Sequence, residues 1–489
     1  MDQAHIACSR EQRELLEPVI NRLNAHGTIK FTAHYYPDKD LIQYVVYRDF
    51  GIAFPRSALA LYEIEDRWEE RHGSLEHSLF AKTVACGVSP VVFFMSPQRA
   101  KQFGVQNKPF GWRALLKGIR KDELRVRHAS MREQDGAAVA VAGHLAFAGG
   151  NTPPEEVAAD LKCLEQGVDE YGPDDGEVLT RATADGDWAT DVVIAQERSI
   201  LKIARAEPGM KGVIVYPHDG TLAIPAIAGS VAGWNRPGHE QAFQLLATSL
   251  ANLPSPALAS SGLHKEAGSL SATGSVSPQT QSTVRWAAHA GGTLLVLPGR
   301  RAVRGIRNLA IAAKRSVDVC LLFDSSSSMA EQGKFAQAQS AIDTFLALLA
   351  GTQSRACVIR FQSTATVVTP LQRPSQPFYP TNALTPGGKT ALLDAVELAL
   401  DELEASADPV HIWAVVAFTD GLENSSQASL SELEERLRKS GRTRFYGVAY
   451  GADADIAPLA SLANVTGGMA QRGDQATIQA LYDRLATYV

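Results

Sequence analysis

From residue 317 onward the chain repeats one pattern. Near-continuous apolar runs, VDVCLLF (317–323), RACVIRF (355–361), VHIWAVVAF (410–418) and TRFYGVAY (443–450), alternate with stretches of helical spacing. A strand that is apolar at successive positions has no face left for water, so both faces are covered. Parallel neighbours need a crossover, and a helix supplies it. The pattern predicts an α/β fold with a doubly wound, mostly parallel sheet. Its strands are expected at 317–323, 355–361, 365–369, 410–418, 443–450 and 468–472. Its helices are expected at 333–350, 390–405, 429–440, 455–464 and 475–488. Such folds hold ligands at the carboxyl ends of their strands.

The first of these strands ends in DSSSS (324–328). In an extended turn alternate residues face one way, which brings Asp324, Ser326 and Ser328 together. A carboxylate and two hydroxyls are hard oxygen donors, suited to Mg²⁺ rather than to a soft metal. Thr390 opens a helix after a Pro-Gly-Gly loop, and Asp420 follows the 410–418 strand in the triplet TDG. Both stand at the same end of the expected sheet as Asp324.

This order, Asp-x-Ser-x-Ser, then Thr, then Thr-Asp-Gly, resembles the metal-ion-dependent adhesion site of von Willebrand factor A domains. The resemblance covers about residues 315–489. It implies a Rossmann-like domain in which Ser326, Ser328 and Thr390 hold a metal through hydroxyls. Asp324 and Asp420 would act directly or through water. The implied ion is Mg²⁺, with Mn²⁺ or Ca²⁺ as alternatives, and its open position would take an Asp or Glu from a partner protein. Ser327 stands where the family has Gly. Gly permits positive φ, so Ser327 is expected to tighten or strain the loop. The nearby GGKT (387–390) is not a phosphate loop, because Ala383 holds the place of the required first Gly and no buried strand precedes it.

The first three hundred residues read as α/β with weaker punctuation. Strands are expected at 4–8, 29–36, 41–47, 190–195 and 212–216, and helices at 11–25, 58–70, 134–150, 154–167 and 238–252. Residues 88–104 read as a buried strand followed by a helix, and 254–285 as irregular surface chain. EIEDRWEERHG (63–73) reads as a solvated helix face.

The texture of VSPVVFFMSPQRAKQFG, KPFGWRALL, HASMREQDGAAVAVAGHLAFAGG and MKGVIVYPHDGT resembles the bacterial two-lobed, periplasmic-binding-type solute-binding proteins. Bacterial chains joining such a domain to a C-terminal von Willebrand A domain are a known arrangement. The expected domains are 1–300, with lobes at 1–88 plus 208–300 and at 89–207, and 301–489. The resemblance implies a cleft with Ser9, Ser57, Ser89, His128 and Ser130 as candidate ligands; caps and turns are the competing reading of these serines. In EQDG, Asp135 stands at a helix start where the family tends to have a small hydroxyl residue. A carboxylate there satisfies the helix dipole and disfavours an oxyanion.

Composition narrows the function classes. The 489 residues carry a net charge of −6 with both signs interspersed, unlike a nucleic-acid binder. No apolar run reaches the roughly 18 residues of a membrane helix. The N-terminus lacks the pattern of a secretory signal, so the chain as written reads as cytoplasmic, with a processed periplasmic or extracellular form as the alternative. Five scattered cysteines with no CxxC pair read as buried free thiols. HExxH and GxSxG are both missing, and no catalytic constellation emerges. The expectation is a non-enzymatic binding or scaffold protein. The alternatives are a transporter's solute receptor, and an adaptor working with a separate MoxR-type ATPase or a bacterial signalling or defence system.

Overall fold

The apolar runs become strands and the spaced segments between them become helices. This computed structural model describes residues 2–473, apart from 48, 150–151, 184–187, 235, 267–283, 288–291, 332, 351, 375–379, 407–410, 441 and 452–453. The helix expected at 475–488 lies outside the described residues. The chain divides into two compact units, residues 1–167 with 174–313, and 168–173 with 314–489. No helix among the described residues is long and apolar enough to cross a membrane.

The first unit opens with β1 (Asp2–Ser9), α1 (Arg13–His26), β2 (Ile29–Tyr36), α2 (Asp38–Val46), β3 (Ile52–Phe54) and α3 (Ala58–His72). Next come β4 (Phe80–Met95), α4 (Pro97–Gln102), α5 (Trp112–Arg120), β5 (Val126–Ala129), α6 (Gln134–Phe147) and α7 (Pro154–Gln166). The short β6 (Val168–Gly172) groups with the second unit. The first unit resumes with α8 (Asp175–Ala182), β7 (Val192–Gln196), α9 (Glu197–Ala206), β8 (Gly212–Val215) and β9 (Thr221–Val231). It closes with α10 (His239–Ala251), α11 (Ser255–Ser260), β10 (Val284–Trp286), β11 (Leu294–Leu295) and α12 (Arg300–Ala313).

Strand pairing splits this unit into two halves. In the first, the order is β2-β1-β3-β9-β4, with β4 pairing β9 up to Pro90. From Val91 onward β4 instead pairs β7, and from Phe93 also β8; β5 and β10 extend this second half. Each half has its own core. Ile6, Leu16, Phe54 and Phe243 pack in the first, and Val92, Phe94, Leu179 and Ile214 in the second.

Several expectations change here. Within 41–47, residues 41–46 form helix, not strand: Leu41, Ile42, Val45 and Val46 are the buried residues of α2, at helical spacing. Part of 254–285 is helical, as α11. Strand β9 was hidden by Pro225 and Gly229. Pro225 is tolerated because β3 pairs β9 only at Gly229 and Ser230, leaving the Pro225 stretch without β3 on its other side. The charged face of α3 is not simply solvated. Asp66 and Glu69 receive Arg300 and Arg304, so α12 packs with the first unit and the boundary falls near 313 rather than 300. Strands β8 and β10, expected with the first lobe, pair in the second half.

The second unit contains β12 (Val317–Asp324), α13 (Lys334–Leu349), β13 (Arg355–Phe361), β14 (Ala365–Gln372) and α14 (Leu392–Ser406). After these come β15 (Ile412–Thr419), α15 (Leu430–Ser440), β16 (Thr443–Tyr450), α16 (Ala457–Thr466) and β17 (Met469–Gly473). The sheet order is β14-β13-β12-β15-β16-β17, parallel except for the antiparallel edge strand β14. Every residue of β12 and β15 is buried, as their nearly continuous apolarity required; the buried Asp318 of β12 is paired with Arg355. Strands β12 and β15 are neighbours, with Phe323 opposite Phe418, so Asp324 and Asp420 emerge side by side at their carboxyl ends.

Candidate metal centre

Asp324 is the last residue of β12 and is fully buried. One carboxylate oxygen accepts the Ser326 amide at 2.7 Å, which turns the chain sharply into a 3-10 turn over Ser327–Ala330. The other accepts the Thr419 hydroxyl at 2.5 Å. The turn directs the Ser326 and Ser328 hydroxyls toward each other, 3.1 Å apart. Ser328 Oγ then donates to Asp420 Oδ1 at 2.7 Å. Two carboxylates and two hydroxyls thus form one connected oxygen cluster.

Thr390, in the loop before α14, lies against Gly421, the neighbour of Asp420. Its backbone is clasped by Asn424, whose side chain accepts the Thr390 amide at 3.0 Å and whose amide donates to the Thr390 carbonyl at 3.1 Å. Glu423 caps α14 by accepting the Leu392 and Leu393 amides at 2.7 and 3.1 Å. The Thr390 hydroxyl lies 2.7 Å from where a Cβ on Gly421 would stand, so the glycine of TDG is what lets it lie against the Asp420 loop. Among the described residues that hydroxyl has no hydrogen-bond partner.

Ser327 does not strain the loop. Asp122 is the only non-glycine residue with positive φ among the described residues, so Ser327 keeps an ordinary backbone. Its exposed side chain donates to the Gly388 carbonyl at 3.0 Å, and its amide donates to the same oxygen at 3.2 Å. The hydroxyl ties the DSSSS loop to the Pro-Gly-Gly loop. Gly388 itself has φ +83, which only glycine adopts readily.

Burial pushes the Asp324 carboxyl up; hydrogen bonds from Thr419 and Ser326 oppose this, leaving it at about 6. Lys334, at the start of α13, donates its ammonium to Asp420 Oδ2 at 2.6 Å. It was not foreseen from the sequence. Neither was Thr419, although it directly precedes Asp420. Among the described residues no group of three or more His, Cys, Asp or Glu side chains could hold a metal. The donors here are mainly hydroxyls. Two carboxylates, the Ser326 and Ser328 hydroxyls and an unpartnered Thr390 hydroxyl fit a small hard divalent cation.

The five candidates in the first unit are all buried. Ser9 caps the 3-10 turn after β1, accepting the Glu11 amide at 3.4 Å. Ser57 precedes α3 and lies 3.5 Å from Gln134 Oε1. Ser89 Oγ accepts the Arg198 amide at 3.2 Å. His128 Nδ1 lies 2.8 Å from the Ala129 carbonyl, and its Nε2 lies 3.5 Å from Glu165. The Ser130 carbonyl accepts the Glu133 amide and is overlaid by Gly136. Next to Ser57 and Ser89 lies an ion-pair group around Arg56, of which the sequence had singled out only Asp135. The five cysteines are all free; four are buried and Cys163 is half-buried.

Residues 319–423 match the von Willebrand factor type A domain. Solved structures similar to parts of the chain include "von Willebrand factor type A" from Catenulispora acidiphila, 21% identical over 36% of this chain, with a TM-score of 0.32. The match spans 43% of that protein's length. The sulfate-binding protein SubI from Mycobacterium tuberculosis is 16% identical over 62% of this chain and 96% of its own, with a TM-score of 0.41. An ABC transporter structure from Clostridium perfringens is 10% identical over 63% of this chain and 98% of its own, with a TM-score of 0.45. No curated protein matches the chain.

Proposed function

We propose that this protein is a binding protein whose second unit captures a partner through a divalent cation, Mg²⁺ being the leading choice. The observation that carries the reading is the connected oxygen cluster of Asp324, Ser326, Ser328 and Asp420 at the ends of two adjacent parallel strands. Ser326, Ser328 and Thr390 would offer hydroxyl oxygens, and Asp324 and Asp420 would supply charge directly or through water. A bound cation supplies a Lewis-acid position for a carboxylate oxygen from an Asp or Glu of the partner.

The chain's own residues prepare that position. Thr419 and the Ser326 amide fix both oxygens of Asp324, so the carboxylate needs no reorganisation. Glu423 and Asn424 hold the Thr390 loop against the Asp420 loop. Ser327 joins the two loops at the rim.

The test is affinity capture by the full chain, with 5–10 mM Mg²⁺ (roughly a hundredfold above a ~0.1 mM Kd) or with EDTA, beside the Asp324→Ala variant. Partners should be retained with Mg²⁺ and lost with chelator or with the variant. An identical set of captured proteins under all three conditions would refute the reading.

A further inference from the structure

The first unit holds a second polar centre, at the seam between its two halves. Arg56 follows β3 in the first half. Its guanidinium pairs with Asp135, the second residue of α6, on the far side of the seam. Arg56 is only 11% exposed and Asp135 only 1%. Asp135 is held in turn by the Gln196 side-chain amide at 3.0 Å and the Asp175 backbone amide at 3.0 Å. Both partners belong to the second half, so Asp135 is held by its own half as well as by Arg56.

A second arginine crosses in the opposite direction. Arg198, on α9 of the second half, donates to Glu11 at 2.9 Å and to the Arg56 carbonyl at 3.1 Å in the first. Among the described residues Asp38 Oδ1, Asp175 Oδ1 and Gln196 Oε1 are buried oxygens without a hydrogen-bond partner, and Arg56 Nε and Ser130 Oγ are also unpartnered. Around the Arg56 guanidinium stand Glu11, Asp38 and Asp135, a set of carboxylates suited to a planar cation.

We infer that the seam is a guanidinium-binding site whose ligand is supplied in cis by Arg56, so that the unit is held closed by its own side chain instead of by a captured solute. This gives Asp135 its purpose: a carboxylate at the start of α6 turns an anion-binding helix end into an arginine receptor. The paired guanidinium and carboxylate are worth most as a unit, because removing one leaves the other buried and uncompensated.

The experiment is chemical rescue in the full chain. Arg56→Ala should lower the melting temperature of the first unit by at least about 5 °C. Guanidinium chloride at low millimolar concentration should restore a saturable part of that loss, where equal ionic strength from NaCl does not. It should not raise the melting temperature of the unchanged protein. If Arg56→Ala does not fold, the cycle of Arg56→Met, Asp135→Asn and the two combined decides: the double variant should cost less than the sum of the two single changes. An Arg56→Ala protein as stable as the original, a loss that guanidinium and NaCl restore equally, or strictly additive changes would overturn the inference. So would stabilisation of the unchanged protein by sulfate, phosphate or a sugar through this seam.

Discussion

Gly421→Ala isolates the role of Thr390 without touching a proposed metal ligand. Gly421 does not have positive φ, so alanine is compatible with the backbone there. The new methyl would sit 2.7 Å from Thr390 Oγ1 and 3.4 Å from its Cγ2. Contacts this short are not tolerated, and the threonine side chain is what can give. Rotation about χ1 would carry the hydroxyl away from its place against the Asp420–Gly421 turn. Loss of one hard donor, or of the neighbour that positions it, weakens metal affinity about 10- to 100-fold. That is about 1.4–2.8 kcal/mol. Calorimetric titration with Mg²⁺, repeated with Mn²⁺ by electron paramagnetic resonance, reads the effect. The melting temperature should move little, because the collision is at a loop surface and not in the sheet core. A Thr390→Val background supplies the control: with the hydroxyl already gone, Gly421→Ala should cost almost nothing more. Wild-type affinity in Gly421→Ala, or the same loss in both backgrounds, would refute the placement of Thr390 in the site.

Lys334→Gln removes a cation already paired with Asp420, so metal affinity should rise about tenfold; unchanged affinity in the same titration would show that Lys334 leaves Asp420 without cost. The Asp324 carboxyl titrates near 6 when folded and near 3.9 when unfolded, so the folded state binds its proton more tightly. Its contribution is fully present below about pH 4 and is lost as pH rises through about 6, an effect of about 3 kcal/mol. The calorimetric transition of the second unit should show this fall without metal, and saturating Mg²⁺ should flatten it; a transition insensitive to pH between 4 and 7 would count against a buried Asp324. Gly136→Ala would place a methyl 2.2 Å from the Ser130 carbonyl oxygen and 2.4 Å from that of Ala129. Backbone cannot yield as a side chain does, so this variant should lose about 3 kcal/mol or more by chemical denaturation.

The C-terminal fold was legible because its signals are local. A strand covered on both faces is apolar almost throughout, and that shows in a run of consecutive letters, unbroken over Ile412–Phe418 of β15 and interrupted in β12 by the buried, ion-paired Asp318. The motif was legible for the same reason. Asp324, Ser326 and Ser328 lie within five residues, and Thr390 and Asp420 open or close recognisable elements. The element that misled, α2, is a short apolar run, where strand and buried helix cannot be separated by periodicity alone. Strand β9 was missed because Pro225 and Gly229 break the local pattern, and only the absence of β3 beside Pro225 makes the proline harmless.

What the sequence by itself determined was therefore the class of the second unit, the order of its strands and helices, and the oxygen-bearing side chains gathered at one end of the sheet. Tertiary structure alone decided which charges meet. Arg56 and Asp135 are 79 residues apart, Lys334 and Asp420 86, and Arg304 and Asp66 238. Periodicity is written by neighbours within one turn or one pleat, so a sequence carries it openly. Ion pairs at seams and loop ends depend on which strands lie side by side, and one arginine looks like another until the fold brings its carboxylate to it.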